Sequence, residues 1–366
     1  MRERDLFFEA IELIDPEARR QFLDRACRGD TSLRKGIDRL LAWHERGAGW
    51  LEEPLPETLA AESSRDDGIE EPLPAGPADE AVGIALRPDD PSVLGSVRIL
   101  HPLSETSYGR VYAGIVADRS LPVIVKTLDP IKGHDLQATG RFLATARRLA
   151  TVQHDGLPAV IAVGERPVPW IAFETVAAES LADRAARGAL PPVEVAVRIG
   201  ISVAAALAAL HDAGLVHRRL GPDVLLLGGT LGERVWLADA GLAQAIAPWK
   251  AERDGPLARL AFLAPEQVQA ATLDPLDHRP DLFALGSLLV FLLTGRSLFD
   301  SGSREGVLRR VADAAARPEV LAMLPAAHAG MVGELLRADP AERPSSAHDV
   351  VARLGIVTRD SVGSIR

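Results

Sequence analysis

Apolar residues recur at helical spacing from the start of the chain, where Phe7, Ala10, Ile11 and Ile14 share one face. Asp15-Pro16 then sets an N-cap before a proline at the first helical position, which predicts a second helix. Asp30 caps a third, with Leu33, Ile37, Leu40 and Leu41 as its stripe and Gly47 near its end. No chemical groups converge in residues 1–51, so they read as a small helical docking module. The periodicity then stops from 52 to 92. It returns near Val93 with period two, through Val111, Tyr112, Val123, Ile124 and Val125. A helix is predicted over Leu136 to Val152, followed by two short strands running to Glu174. From Ser180 the helical period dominates, with long apolar helices over Val193–Ala213 and Pro280–Leu293. Strands followed by helices predict an α+β protein of two lobes, a β-rich N-lobe at 93–178 and an α-helical C-lobe at 179–355, with a flexible tail at 356–366.

Composition sharpens this division. Residues 52–92 hold seven prolines, twelve acidic residues and only two basic ones, Arg65 and Arg87, with no aromatic residue. Such a segment buries too little apolar surface to offset its ordering entropy, which predicts a disordered acidic linker. The chain carries 41 Lys plus Arg against 51 Asp plus Glu, net −10, so the segment accounts for the whole imbalance and the remaining 39 of each cancel. A general positive field for nucleic acid is therefore lacking. The single cysteine, Cys27, rules out an intramolecular disulfide framework and a Cys-based zinc cluster. The longest uncharged apolar run, Leu282–Thr294, has 13 residues, too few to cross a bilayer. No apolar signal-peptide core follows the first residues, so the expectation is a cytoplasmic protein that binds neither nucleic acid nor membrane. Only four lysines occur, Lys35, Lys126, Lys132 and Lys250, which singles out any that falls in a motif.

Seven landmarks then appear in order. They are Leu103-Ser-Glu-Thr-Ser-Tyr-Gly109-Arg-Val111, Val123-Ile-Val-Lys126, His217-Arg-Arg-Leu-Gly-Pro-Asp-Val-Leu225, Asp239-Ala-Gly241, Ala264-Pro-Glu266, Asp281 with Gly286, and Arg343. In this order and at this spacing, residues 97–355 resemble the protein kinase family, in particular bacterial serine/threonine kinases. The resemblance implies a two-lobed fold with ATP, and magnesium held weakly, between the lobes. It places Lys126, Gly109, Asp239 and Glu174 at the nucleotide, with Asp239 as the metal ligand. His217, Glu266, Asp281 and Arg343 are its structural positions.

The groups that would move phosphate have changed. Ser104 and Thr106 replace the first two loop glycines, leaving Gly109, so both a phosphate clamp and an ordinary hairpin turn remain open. Lys126 reads either as a nucleotide contact or as a snorkelling lysine on a core strand. The helix glutamate that normally orients this lysine falls at Thr145, and residues 136–154 contain no acid at all. Arg219 stands where the family has its catalytic aspartate, and a guanidinium stays protonated. Gly221 replaces the neighbouring lysine, and Val224 replaces the metal-binding asparagine. Asp223 is the one acid near enough to be named as a substitute base, and Asp239 reads equally as an aspartate satisfying turn amides. Between Asp239 and Glu266 there is no Ser, Thr or Tyr to phosphorylate, and Arg259 occupies the position of the threonine that precedes Ala-Pro-Glu.

Groups that hold the fold persist while groups that transfer phosphate are replaced. This predicts a pseudokinase, a scaffold or nucleotide-sensing regulator that meets protein partners through its N-terminal helices or its lobes. The competing expectation is an active kinase or nucleotide transferase working with unorthodox residues.

Overall fold

The computed structural model describes residues 16–27, 34, 90–106, 109–128, 136–242, 257–269, 277–314 and 316–363. The expected first N-terminal helix, nearly all of the third and residues 52–89 of the acidic segment lie outside them. The second helix, α1 (Pro16–Cys27), begins at its proline as the sequence predicts.

The N-lobe is a six-stranded antiparallel sheet of β1 (Val93–Leu94), β2 (Val97–Thr106), β3 (Gly109–Val116), β4 (Leu121–Thr127), β5 (Val160–Gly164) and β6 (Trp170–Glu174), in the order β1-β2-β3-β4-β6-β5. Both faces are covered, which is why β3 is buried along nearly its whole length. Tyr112 and Val116 join Val97, Val125 and Trp170 on one side, and Val111 and Ala113 join Leu103 and Ile124 on the other. Helix α2 (Leu136–Leu149) buries Ala138, Phe142, Leu143, Ala146 and Leu149.

The C-lobe follows with β7 (Glu179–Ser180), α3 (Leu181–Ala186), α4 (Val193–Asp212), β8 (Leu225–Gly228) and β9 (Arg234–Leu237). Next come α5 (Leu257–Leu260), α6 (Pro265–Gln269), α7 (Arg279–Thr294), α8 (Arg304–Ala312), α9 (Pro318–Leu321), α10 (Ala326–Leu335) and α11 (Ala347–Gly363). Helix α7 is apolar on every side and buried from Pro280 to Leu292, as a helix enclosed by others must be. At Gly286 a Cβ would lie 2.8 Å from the Cβ of Leu335, so this glycine sets how closely α7 approaches α10. Helix α4 is long and apolar enough to cross a membrane, but 61% of that stretch is buried inside the lobe, where it packs on α7 and α11.

Two expected boundaries move. Asp90 to Ser92, assigned by composition to the linker, belong to the folded N-lobe: the Ile99 amide donates to the Ser92 carbonyl at 2.9 Å. The Tyr112 hydroxyl donates to Asp90 Oδ1 at 2.7 Å, and Arg110 forms an ion pair with the same carboxylate. The tail expected from 356 is instead helical to Gly363, because no proline or glycine interrupts α11 between Gly355 and that residue.

Candidate functional site

The loop after α4 is built around one buried carboxylate. Asp281, in the first turn of α7, accepts from the His217 amide at 2.8 Å, the Arg218 amide at 2.7 Å and His211 Nε2 at 2.9 Å. These bonds hold Arg218 at φ +63°, a left-handed conformation that costs a non-glycine residue about 1–3 kcal/mol. Burial alone would raise the Asp281 carboxyl; the hydrogen bond and charge of His211, with His217 added, hold it below its ordinary value. Burial also holds His217 below its ordinary value, against Asp281 and the Ala238 carbonyl. Neutral His217 donates from Nε2 to the Ala238 carbonyl at 2.8 Å and accepts the Arg219 amide on Nδ1 at 3.2 Å. The loop is thereby pinned to the backbone immediately before Asp239.

A second anchor lies below it. Arg343 meets Glu266 through two bonds, at 2.5 and 2.8 Å, and donates to the carbonyls of Arg279, Arg337 and Ala338. Its guanidinium lies 5.0 Å from the ring centroid of Phe283. Gln267 extends the frame, donating to the Arg218 carbonyl at 3.1 Å and accepting from the Ala264 amide at 2.9 Å.

In the cleft the partners have been redistributed. Lys126, on β4, forms an ion pair with Asp239 across the lobes, and both side chains are buried. Thr145 reaches the same place: its Cγ2 lies 3.5 Å from where a Cβ on Gly241 would stand. Thr145, where the family has its glutamate, thus sets a methyl group against the Asp239-Ala-Gly241 turn, and the lysine pairs with Asp239. Burial, with the charge of Arg219 acting alongside it, pulls the Lys126 ammonium down to about 7, while Asp223 opposes that shift. The direct contact with Asp239 also favours the charged form.

The loop after His217 carries a second pair. Asp223 Oδ1 lies 3.0 Å from where a Cβ on Gly221 would stand, so the acid fills the space left by the missing side chain. Arg259 donates to Asp223 Oδ2 at 2.6 Å. Burial pushes the Asp223 carboxyl up to about 6, against the opposing charge of Arg219. Arg219 is half-buried, and no carboxylate pairs with its guanidinium among the described residues. Val224 is fully buried, and its carbonyl accepts from the Ala238 amide at 2.9 Å, which sets it beside the residue preceding Asp239.

Of the remaining expected positions, Gly109 pairs with Thr106, so the ladder of the β2–β3 hairpin continues to its tip. Ser104 is buried, and its hydroxyl has no hydrogen-bond partner among the described residues. Glu174 lies at the end of β6, where its carboxylate accepts from the Ala159 amide at 2.9 Å instead of joining Lys126 and Asp239.

Residues 97–354 match the family profile described as protein tyrosine and serine/threonine kinase. The chain belongs to the protein kinase family. Similar proteins include the serine/threonine-protein kinase pkn2 of Myxococcus xanthus, 32% identical over 283 residues, covering 74% of this chain and 33% of that protein. The serine/threonine-protein kinase PknL of Mycobacterium tuberculosis is 32% identical over 255 residues, covering 68% and 62%. The chain therefore spans about a third of the length of the first and less than two thirds of the second. Among solved structures, the Mycobacterium tuberculosis PknI kinase domain matches with a TM-score of 0.55 at 24% identity, over 75% of this chain and 100% of that one, which establishes a shared fold.

Kinases of this family generally use ATP and magnesium. The donor set of this kinase domain does not suit the metal. Val224 offers no oxygen where the family has its asparagine, and the Asp239 carboxylate is taken by Lys126. No cluster of three His, Cys, Asp or Glu suited to a metal occurs among the described residues. Sequence reasoning placed Asp223 and Arg259 separately but missed that they pair; the only signal was an acid at a variable position and an arginine where the family has a threonine. It also missed His211 and the contacts of Asp90, because neither belongs to the motifs that carry the resemblance.

Proposed function

We propose that this kinase-fold chain is a catalytically silent member of its family, a pseudokinase that serves bacterial signalling as a scaffold or nucleotide-sensing regulator. The observation that carries the reading is Arg219 at the position of the proton acceptor, two residues after a His217 held in the family's arrangement. A positioned general base is worth about 10²–10⁴-fold in rate, and a guanidinium cannot act as one. The pairings Lys126–Asp239 and Asp223–Arg259 support the same reading, since each neutralises a group that phosphoryl transfer would need free. Its partners are proteins, met in the cytoplasm through the N-terminal helices or the kinase lobes, and neither nucleic acid nor a membrane surface is among them. The test is transfer of radiolabelled phosphate from ATP to the chain itself and to generic protein substrates. No incorporation above the Lys126→Ala background is expected, and Arg219→Asp alone restores none, because Thr145, Gly221 and Val224 still lack the groups replaced there. Turnover abolished by Lys126→Ala or Asp239→Ala would sink the proposal.

One observation favours a second reading, an active kinase using Asp223 as base. That carboxyl occupies the space beside Gly221, and burial pushes it up to about 6, close to the value a general base needs. Under this reading Asp223→Asn removes turnover while leaving the unfolding midpoint within a few degrees of the parent.

A further inference from the structure

Among the described residues five charged groups are linked in the cleft, and their pairing leaves one over. Lys126 is matched by Asp239, and Arg259 by Asp223; Arg219 has no carboxylate among the described residues. It lies close enough to Lys126 and Asp223 for its charge to act on both. Its amide is bound by His217, which in turn bonds the carbonyl of Ala238 next to Asp239, and its side chain is half-buried. The place where the family deploys a base and a metal thus holds a permanent cation beside an ion pair. A guanidinium presents a planar fork of donors that matches a phosphate bidentately, without any divalent ion.

We infer that Arg219, beside Lys126, makes the cleft a receptor for the polyphosphate of a nucleotide free of divalent metal, the guanidinium neutralising the terminal phosphate. The inference deepens the nucleotide-sensing form of the pseudokinase reading and rests on it. It follows from the misfit to magnesium: a metal-bound nucleotide would bring a divalent cation towards Arg219, with Val224 offering no oxygen and Asp239 already paired. The free polyphosphate carries more negative charge than the metal complex and meets the one cation that the pairing leaves over.

The test uses the full chain titrated with ATP in EDTA and in millimolar magnesium chloride, followed by calorimetry and by the unfolding midpoint. Saturable binding and stabilisation are expected in EDTA, with no tightening when magnesium is added. Arg219→Ala, and Arg219→Gln which retains donors without charge, should each weaken ATP in EDTA about ten- to a hundredfold, the loss of one charged hydrogen-bonding partner. Adenosine, which has no phosphate, should bind both variants as it binds the parent, and each shift is read against the variant's own unliganded midpoint. Binding that requires magnesium, variants that bind ATP like the parent, or no binding in EDTA each overturn the inference. None of these results bears on catalytic silence, which phosphate turnover alone would refute.

Discussion

His217 and Arg219 lie two residues apart in one loop, and their surroundings have diverged. The region around His217, with Asp281, Glu266 and Arg343, keeps each group in several bonds at once: Asp281 accepts three, and Arg343 reaches one carboxylate and three carbonyls. The region around Arg219 is joined by charge pairs, Lys126 with Asp239 and Asp223 with Arg259. A buried polar group with many partners cannot be replaced without stranding all of them. A group whose function is to meet a substrate has few internal partners, so its replacement leaves little stranded. The difference explains how the phosphate-transferring groups can be lost while the fold remains intact.

The comparison breaks most readily at the anchors. Arg343→Ala removes the Glu266 pair, three carbonyl bonds and the Phe283 contact together, and should destabilise the chain by about 3–5 kcal/mol, read as a fall in the urea midpoint. In the cleft, Lys126→Met or Asp239→Asn alone strands a buried partner and should cost roughly 3 kcal/mol, whereas the double substitution should cost less than either. A double-mutant cycle measures the coupling, and a value under about 0.5 kcal/mol would mean that the pair does not hold the lobes.

Acid should act on the anchored region first. His217 is held below its ordinary value of 6.5, so its contribution is complete above about pH 6.5 and is lost as the pH falls below it. Asp281 is held below its ordinary value of 3.8, so its contribution is present above about pH 4 and is lost as the pH falls through the folded value. Urea midpoints measured from pH 7 to pH 3 should therefore decline in two stages, and His217→Gln should flatten the first. The smallest effect belongs to the N-lobe, where Tyr112→Phe deletes one hydrogen bond to Asp90 and should cost about 1 kcal/mol.

The fold was legible in the sequence because its periodicities are long and its landmarks fall in order, and α4, α7 and the strands around Lys126 lie where the hydrophobic pattern puts them. The short β7 and β8 were not legible, since two- and four-residue strands carry no periodic signal. At the site, the residue types told which of the family's side chains are replaced. They did not foretell which groups would pair instead, because Lys126–Asp239 joins residues 113 positions apart through a lobe arrangement that no local pattern encodes. Composition likewise placed Asp90 in the acidic segment, since a residue count does not distinguish a solvated carboxylate from a buried one.

The seating of Asp90 has a practical consequence for dividing the chain. A fragment cut to start at Val93, where the strands begin, would leave the Arg110 guanidinium without one of its two carboxylates and the Tyr112 hydroxyl without its acceptor, on the strand that starts at Gly109. A fragment starting at Asp90 keeps both. Three residues therefore separate an excised domain with its β2–β3 hairpin intact from one already damaged there, and nucleotide measurements on the shorter piece would report the cut as well as the cleft.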